Sequence, residues 1–272
     1  MCLRKIFPNW FKPDPITDPI PSTNGKYLIS AAINNYPGSD NDLRGCLNDQ
    51  INLCSVLADF STVQLKDSQV TIDRFCLEIE KIKSVAVAGD TVVVAYSGHG
   101  TYVPCYNGTE VDGKDEGLYL YDGFLLDDKF GKTLDGFAEG VRLIVILDSC
   151  FSESATRALN LQPNPNRGRF NPTVDIKVFK GKLNLPRQKL QSDPVKWLVF
   201  SACSEHETAA DAYIGDKYVG AYTHFLHQIF KNRDLTYEQA YNEVRKYLPS
   251  SDFSQTPTLE GPEWIKELKL FT

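Results

Sequence analysis

The feature that most constrains the fold is a series of apolar, β-branched runs, most of which end in a cluster of polar residues. The four runs are KYLISAAI (26–33), DTVVVAYSGHG (90–100), VRLIVILDSC (141–150) and WLVFSAC (197–203). Near-continuous apolar runs are typical of strands in a parallel sheet that is covered on both faces. The sequence therefore predicts a buried, mostly parallel sheet.

Helices are predicted between these strands. In residues 43–58 the apolar side chains recur at helical spacing, and Asp40 or Asp42 is available as the N-cap. Further helices are predicted near residues 70–84, 219–231 and 236–247. Because strands and helices alternate along the chain, we expect a doubly wound α/β sandwich that forms one domain over residues 26–272.

The composition excludes several classes of protein. The chain has 272 residues, of which 29 are basic and 35 acidic, and this net charge of −6 argues against nucleic-acid binding through phosphate contacts. No apolar run reaches the roughly 18 residues of a membrane span, and the first residues do not resemble a secretory signal. Seven cysteines without a CxxC pair favour neither a disulfide framework nor a zinc ribbon. We therefore expect a cytoplasmic protein.

Residues 1–25 differ from the rest of the chain in their proline content. Five prolines fall in this segment, at positions 8, 13, 15, 19 and 21. Such a density of proline is incompatible with a continuous helix or a central strand. We expect an extension that is disordered or lies over the surface. Its aromatic residues Phe7, Trp10 and Phe11 suit either an anchor on the body or a docking element for a partner.

Two of the polar clusters contain residues that suit nucleophilic catalysis. His99 follows one predicted strand and Cys150 follows the next. Because the carboxyl ends of parallel strands meet at one edge of a sheet, we expect the imidazole to lie near the thiol that it would activate. The backbone N–H of Gly100 is available for a developing oxyanion. A cysteine at the end of a strand is also compatible with an ordinary core position.

The chain resembles the caspase-like cysteine peptidases, in the variant of metacaspases and bacterial orthocaspases. SGHG followed by DSC at the next long strand matches the His/Cys dyad of that family. Five further segments match in order: LRGCLNDQINLCSVL (43–57), VDGKDEGLYLYD with LLDDKF (111–130), SACSEHETAAD (201–211), GAYTHFL (220–226) and QTPTLEG (255–261). The resemblance covers residues 26–262. It implies the caspase fold, a three-layer α/β/α sandwich with a mostly parallel central sheet, and a monomer.

The resemblance also assigns roles to residues. Cys150 becomes the nucleophile and His99 the general base and acid, and the N–H groups of Gly100 and Cys150 form the oxyanion hole. No third catalytic residue matches the family pattern, so we expect a backbone group to orient the imidazole.

The expected substrate specificity rests on acidic residues. Metacaspases bind a P1 arginine or lysine in an acidic S1 pocket, and Asp49, Ser97 and Asp148 match its positions. Asp148 precedes the nucleophile by two residues and lies on the same face of the strand. Two carboxylates suit the fork of a guanidinium group. A solvated position on its helix is an equally good interpretation of Asp49.

A basic P1 preference gives the stretch after the nucleophile a function. From Arg157 to Lys196 the chain has nine basic residues and two acidic ones, together with five prolines. We expect a long linker over about residues 157–194, at the place where the family separates its large and small subunits, and we expect the protein to cut itself there. The other interpretation is an insertion that happens to be basic.

Calcium is the expected cofactor. Asp115, Asp127 and Asp128 match calcium-binding positions of the family, and Ca²⁺ takes six to eight oxygen ligands. Arg157 stands at the fourth matching position, where Glu153 or Asp122 would have to substitute. These acids are also compatible with a solvated loop. The sequence thus predicts a calcium-responsive cysteine endopeptidase that acts on proteins or peptides with a basic P1 residue. The alternatives are a caspase-fold interaction or regulatory module without activity, and an aspartate-specific peptidase.

Overall fold

A computed structural model describes residues 25–38, 41–104, 114–149, 167–169, 196–204, 207 and 209–272. Its centre is a six-stranded sheet in the order β12-β9-β7-β3-β1-β2. Neighbouring strands run parallel except β12, which is antiparallel to β9. The strands are β1 (Lys26–Ala32), β2 (Ser61–Lys66), β3 (Thr91–Ser97), β7 (Arg142–Asp148), β9 (Leu198–Ser201) and β12 (Thr258–Glu260). The predicted mostly parallel sheet is confirmed.

Helices cover both faces of this sheet. The helices are α1 (Cys46–Val56), α2 (Ile72–Lys83), α3 (Asp127–Leu134), α4 (Ala221–Ile229), α5 (Tyr237–Val244) and α6 (Glu263–Lys266), and a 3₁₀ turn spans Asp67–Gln69. One hydrophobic cluster joins α2 and α3 to alternate residues of β1, β3 and β7. A second cluster, on the other face of the sheet, joins α1, α4, α5 and α6 to the intervening residues of the same strands, such as Leu28, Val93 and Ile144. This alternation gives the predicted α/β/α sandwich.

The start of α1 differs from the prediction. The helix begins after Gly45, whose side chain has no capping group, so the expected cap by Asp42 is wrong. The Asp42 carboxylate instead accepts a hydrogen bond from the backbone N–H of Tyr36, at 2.9 Å. Asn34 Oδ1 accepts from the N–H groups of Cys46 and Leu47, at 2.9 and 3.4 Å, and so replaces the local cap. Asp40, the other predicted cap, lies outside the described residues.

Two small antiparallel sheets, which the sequence analysis did not predict, adjoin the central sheet. One has the order β4-β5-β6 and contains β4 (Gly100–Pro104), β5 (Lys114–Leu120) and β6 (Gly123–Leu126). The other has the order β11-β10-β8 and contains β8 (Arg167–Gly168), β10 (Ala210–Ile214) and β11 (Lys217–Gly220). Strand β4 begins three residues after the end of β3, so this sheet lies near the carboxyl edge of the central sheet. No helix in the described part of the chain is long and apolar enough to cross a membrane.

Candidate active site

The ends of β3 and β7 lie side by side. The register of this strand pair sets Ser97 opposite Asp148, the last residue of each strand. His99 and Cys150 each follow two residues later in the sequence. Cys150 itself lies outside the described residues, whereas Ser149 before it is buried. The parallel register thus brings Ser97 and Asp148, which are 51 positions apart in the sequence, to one edge of the sheet.

Backbone groups and tyrosines hold His99. Its N–H donates to the Tyr36 hydroxyl at 2.7 Å, and its carbonyl accepts from the N–H of Tyr119 at 2.9 Å. The hydroxyl of Tyr96 lies 2.9 Å from the same carbonyl. Gly98 leaves room for this arrangement, because a Cβ atom there would collide with the hydroxyls of both Tyr36 and Tyr96.

The imidazole of His99 has a backbone partner, as expected from the sequence. Its Nε2 lies 2.7 Å from the carbonyl oxygen of Asn41, and a carbonyl can only accept, so Nε2 carries a hydrogen. The buried Nδ1 has no hydrogen-bond partner among the described residues. Burial lowers the pKa of His99 to about 4, an effect that the Asn41 carbonyl partly opposes. At neutral pH the ring is therefore uncharged, with a free lone pair on Nδ1.

Next to the histidine lies a pocket of three buried carboxylates, Asp49, Asp148 and Asp211. Each is at most 2 % exposed. Asp49, on α1, is therefore not a solvated helix residue. Backbone N–H groups bind each of these side chains: Gly220 donates to Asp49 Oδ1 at 2.8 Å, and Gly45 donates to Asp211 Oδ1 at 2.8 Å.

The third carboxylate of the pocket has a different anchor. Asp148 Oδ2 accepts from the hydroxyl of Thr223 at 2.6 Å and from its N–H at 3.2 Å. Thr223 lies in the first turn of α4, where backbone N–H groups have no partner within the helix and favour a negative charge. Gly220 precedes this helix, and a Cβ atom there would collide with the Asp148 carboxylate. The chain thus holds this acid through the start of α4.

The guanidinium group of Arg169 occupies the pocket. The residue is 0 % exposed. Its Nη1 lies 3.1 Å from Asp148 Oδ1, and its Nη2 lies 2.7 Å from Asp49 Oδ2 and 3.1 Å from Asp211 Oδ1. Nη1 also donates to Ser97 Oγ at 2.7 Å, and the Ser97 hydroxyl donates to Asp49 at 2.7 Å. A fully buried cation is tolerated because Nη1 and Nη2 both have acceptors. Only Nε of this group has no hydrogen-bond partner among the described residues.

The crowding of three acids around one cation affects their ionisation. Burial, together with the neighbouring Asp148, raises the pKa of Asp49 to about 7, and the charge of Arg169 opposes this rise. The coulombic effect of the three carboxylates raises the pKa of Arg169, which stays charged. The cation in this pocket is thus a guanidinium group, which stays charged at all ordinary pH values.

The backbone of Arg169 also lies in the site. Its carbonyl oxygen accepts a hydrogen bond from the N–H of Gly100 at 3.0 Å, and its own N–H donates to the carbonyl of Ala209 at 3.0 Å. Strand β8 just before it pairs with β10, with Gly168 opposite Ala210. The Gly100 N–H is the group expected in the oxyanion hole. It thus contacts the carbonyl of Arg169, whose side chain fills the acidic pocket.

Among the acids considered for calcium binding, the structure describes the side chains of Asp122, Asp127 and Asp128. Asp127 and Asp128 are exposed in the first turn of α3, and the Asp127 carboxylate accepts from the N–H of Asp128 at 2.8 Å. Asp115 lies on β5, with its side chain outside the described residues. Asp122 accepts from the N–H of Ile72. The described residues contain no cluster of three potential metal ligands, and because the Asp115 side chain lies outside them, calcium binding stays a prediction.

Two residues of the site were missed by the sequence analysis as site residues, Arg169 and Asp211. Arg169 is one of nine basic residues in its stretch, and no local pattern distinguishes it from the others. Asp211 falls within a matching motif, but its role depends on the pairing of β10 with β8 and β11. The one signal in the sequence that could have found Asp211 is its place in a matching segment, as a third acid beside the predicted Asp49 and Asp148.

Comparisons with known proteins agree with this architecture. The family model for the caspase domain, Peptidase_C14, matches residues 29–268, and the chain therefore belongs to the caspase-domain family of cysteine peptidases. Metacaspase-1 of Pyricularia oryzae is 28 % identical, over 83 % of this chain and 69 % of its own length. Metacaspase-1A of Aspergillus fumigatus is 29 % identical, over 83 % of this chain and 66 % of its own length. The chain spans about two thirds of these relatives.

Solved structures show the same fold. Protein GSU0716 from Geobacter sulfurreducens superposes with a TM-score of 0.72 at 23 % identity, covering 91 % of this chain and 98 % of its own. Caspase-1 from Spodoptera frugiperda superposes with a TM-score of 0.57 at 12 % identity, covering 90 % of each chain. The predicted caspase fold is confirmed.

Proposed function

We propose that this protein is a cysteine endopeptidase that cuts its substrates after arginine or lysine, with Cys150 as nucleophile and His99 as base and acid. The observation that carries the specificity is the contact of one guanidinium group with three buried carboxylates, Asp49, Asp148 and Asp211. A negatively charged P1 side chain would be repelled from this pocket, and an apolar one would leave the carboxylates without a partner.

The proposed reaction follows from the orientation of His99. With Nε2–H donating to the Asn41 carbonyl, Nδ1 is free to accept the thiol proton of Cys150 as the sulfur attacks the scissile carbonyl. The N–H of Gly100 donates to the oxygen as it becomes negative. His99 then returns the proton to the leaving amine, and a water molecule, deprotonated by the same ring, releases the acyl group from the sulfur.

Arginine is the better P1 residue in this proposal. Its two terminal nitrogens satisfy different acids, Nη1 with Asp148 and Nη2 with Asp49 and Asp211. A lysine ammonium is a single point charge and reaches only one of these groups at contact distance. We expect kcat/KM for an arginine peptide to exceed that for the matched lysine peptide by about tenfold, which corresponds to about 1.4 kcal/mol.

Peptide hydrolysis tests the proposal. Fluorogenic peptides that differ only in their P1 residue, Arg, Lys or Asp, are incubated with the wild type and with Cys150→Ala. We expect cleavage after Arg and Lys that is lost in the variant. Cleavage after Asp would overturn the pocket assignment. Folded protein without activity on any peptide, in the wild type and with the pocket emptied by Arg169→Ala, would favour the interaction module.

Two further proposals follow from the family resemblance. Calcium activation rests on the match of Asp115, Asp127 and Asp128 to family positions, and the same assay with calcium or with a chelator tests it. The proposal of a monomer rests on the resemblance, and sedimentation velocity tests it.

Protein or peptide substrates follow from the family, and self-processing within the linker over residues 157–194 is part of the proposed activity.

A further inference from the structure

The hydroxyl groups of Tyr36 and Tyr96 form a chain of hydrogen bonds that begins and ends on His99. The backbone N–H of His99 donates to the Tyr36 hydroxyl at 2.7 Å, and the two hydroxyls lie 3.2 Å apart. The Tyr96 hydroxyl lies 2.9 Å from the His99 carbonyl. Both tyrosines are at most 5 % exposed. The two backbone groups of His99 are thus both bound by buried side chains.

The direction of this chain follows from its last member. A tyrosine hydroxyl has one hydrogen to donate and can also accept. The Tyr96 hydroxyl lies 2.9 Å from the carbonyl of His99 and 2.7 Å from that of Tyr119, and since carbonyls only accept, one of them takes its hydrogen. The Tyr36 hydroxyl therefore donates to Tyr96 and accepts from His99. Burial raises the pKa of both tyrosines, so the chain keeps its hydrogens at neutral pH.

Tyr36 is itself fixed from several sides. Its backbone N–H donates to the Asp42 carboxylate at 2.9 Å, and its ring stacks on that of Tyr119 with the centroids 5.1 Å apart. The centroid of the same ring lies 4.9 Å from that of the His99 imidazole. At Gly98 a Cβ atom would collide with the hydroxyls, so the glycine keeps the space that they occupy. Rigid support of this kind is what a catalytic side chain requires from its neighbours.

We propose that Tyr36 is a positioning residue for His99, and that its hydroxyl, together with that of Tyr96, holds the backbone from which the imidazole reaches the Asn41 carbonyl. This inference rests on the proposed function, in which Nε2 donates to that carbonyl and Nδ1 takes the thiol proton. In this role neither tyrosine contacts the substrate. Each hydroxyl acts on the reaction through the orientation of the His99 ring.

Steady-state kinetics on arginine peptides test the role of Tyr36. Tyr36→Phe keeps the ring and leaves the buried N–H of His99 without its acceptor. We expect kcat to fall by about 10- to 100-fold, since a displacement of about 1 Å in a catalytic group costs on that order. KM should change by less than about twofold, because the carboxylates that bind the P1 residue are untouched. An unchanged kcat would overturn the inference.

Tyr237→Phe is the matched control. Tyr237, on α5, is also buried, and its hydroxyl accepts the backbone N–H of Phe271 at 3.0 Å. This contact lies near the amino edge of the sheet, where Thr272 accepts from the hydroxyl of Thr91. Both substitutions remove the acceptor of one buried N–H, so we expect similar losses in thermal stability and a loss of kcat in Tyr36→Phe only. Equal losses of kcat would reduce Tyr36 to a stabilising residue and overturn the inference.

Tyr96→Phe tests whether the two hydroxyls act as one chain. In this variant the His99 carbonyl keeps the N–H of Tyr119 as a donor, at 2.9 Å, so the loss of kcat should be smaller than in Tyr36→Phe. In the double variant kcat should fall by less than the product of the two single losses, because both substitutions break the same chain. A loss equal to that product would show that the hydroxyls act independently. Tyr96→Phe also keeps the test decisive if Tyr36→Phe does not fold.

Nitrogen NMR of the histidine rings gives a readout that needs no activity. The chain has four histidines, and His99→Gln identifies the signals of His99. At neutral pH we expect Nε2 protonated and Nδ1 unprotonated in the wild type and in Tyr237→Phe, and a mixture of tautomers in Tyr36→Phe. The wild-type pattern in Tyr36→Phe would contradict the inference. Folded wild type and Arg169→Ala that both fail on arginine peptides, with the expected NMR pattern, would overturn the proposed function and leave the positioning of His99 standing.

Discussion

The two edges of the central sheet differ in what they bring together. At the carboxyl edge, the ends of β3 and β7 lie beside three buried acids that enclose one guanidinium group. At the amino edge, a groove of about 740 Å³ lies against Leu134, Phe137, Trp197 and Trp264. Its ion pair, Lys196 with Asp135, is more than half exposed at both ends.

This comparison shows that buried charge, more than cavity size, identifies the candidate site. Burial of an ion is unfavourable unless its partners are built around it, so a buried cluster of four charges is retained only where the chain supplies those partners. The groove at the amino edge is larger, but its described charges are exposed to water, where an ion pair contributes little. We therefore expect substitutions at the two edges to differ sharply in their effects.

The largest effect is expected from Asp148→Asn. Asp148 is the carboxylate in contact with Nη1, whereas two carboxylates contact Nη2. Breaking a buried ion pair costs about 3–5 kcal/mol, which corresponds to a loss of about 150- to 4,000-fold in kcat/KM for arginine peptides. The control is Asp135→Asn at the amino edge, which should leave kcat/KM unchanged. Equal losses in the two variants would remove the distinction between the edges.

A smaller loss is expected from Asp211→Asn. Asp49 still contacts Nη2 at 2.7 Å in this variant, so the arginine keeps a carboxylate on each nitrogen. Loss of one charged hydrogen bond costs about 1.5–3 kcal/mol, or about 10–100-fold in kcat/KM. The preference for arginine over lysine should narrow as well. Since Asp211 also accepts from the N–H groups of Arg44 and Gly45, thermal unfolding of the variant must be measured in parallel.

These pocket residues show where sequence analysis reaches its limit. The β-branched runs predicted the strands of the central sheet, because a strand buried on both faces requires a continuous apolar sequence. The prediction that His99 lies near Cys150 used the rule that parallel strands end at one edge of the sheet. Arg169 and Asp211 were not predicted, since they meet Asp49 across 120 and 162 positions of the chain. Contacts of that separation leave no periodic signal.

The same limit applies to local structure near the site. The cap of α1 comes from Asn34, which is separated from the helix by a loop, and neither nearby aspartate has this role among the described residues. The sheet β4-β5-β6 was not predicted, because KDEGLYL carries charges at one end and so lacks the apolar pattern of a buried strand. The burial of Asp49 depends on the N–H of Gly220 and on the charge of Arg169, and its helix alone gives no reason for it.

A pH profile tests the electrostatics of the carboxyl edge. Burial raises the pKa of Asp49 to about 7 even with the pocket occupied, and loss of the cation removes an effect that lowers it. The Asp49 carboxyl is therefore protonated, and uncharged, below about pH 7. Because an uncharged Asp49 no longer attracts the arginine, kcat/KM for arginine peptides should fall by up to tenfold per pH unit below this pKa. His99 stays neutral there, because burial lowers its pKa to about 4. The same fall in Asp49→Asn would assign it to another group.

The smallest effect is expected at the amino edge, from Lys196→Ala. This substitution removes the partner of Asp135 at 3.0 Å, but both side chains are more than half exposed and the pair is screened by salt. We expect the free energy of unfolding to change by less than about 1 kcal/mol, measured by urea denaturation, and kcat/KM for arginine peptides to stay the same. Wild type in high salt should reproduce the small change in stability. A loss of activity beyond twofold would mean that the two edges are coupled through β7 and β9, the strands that join them.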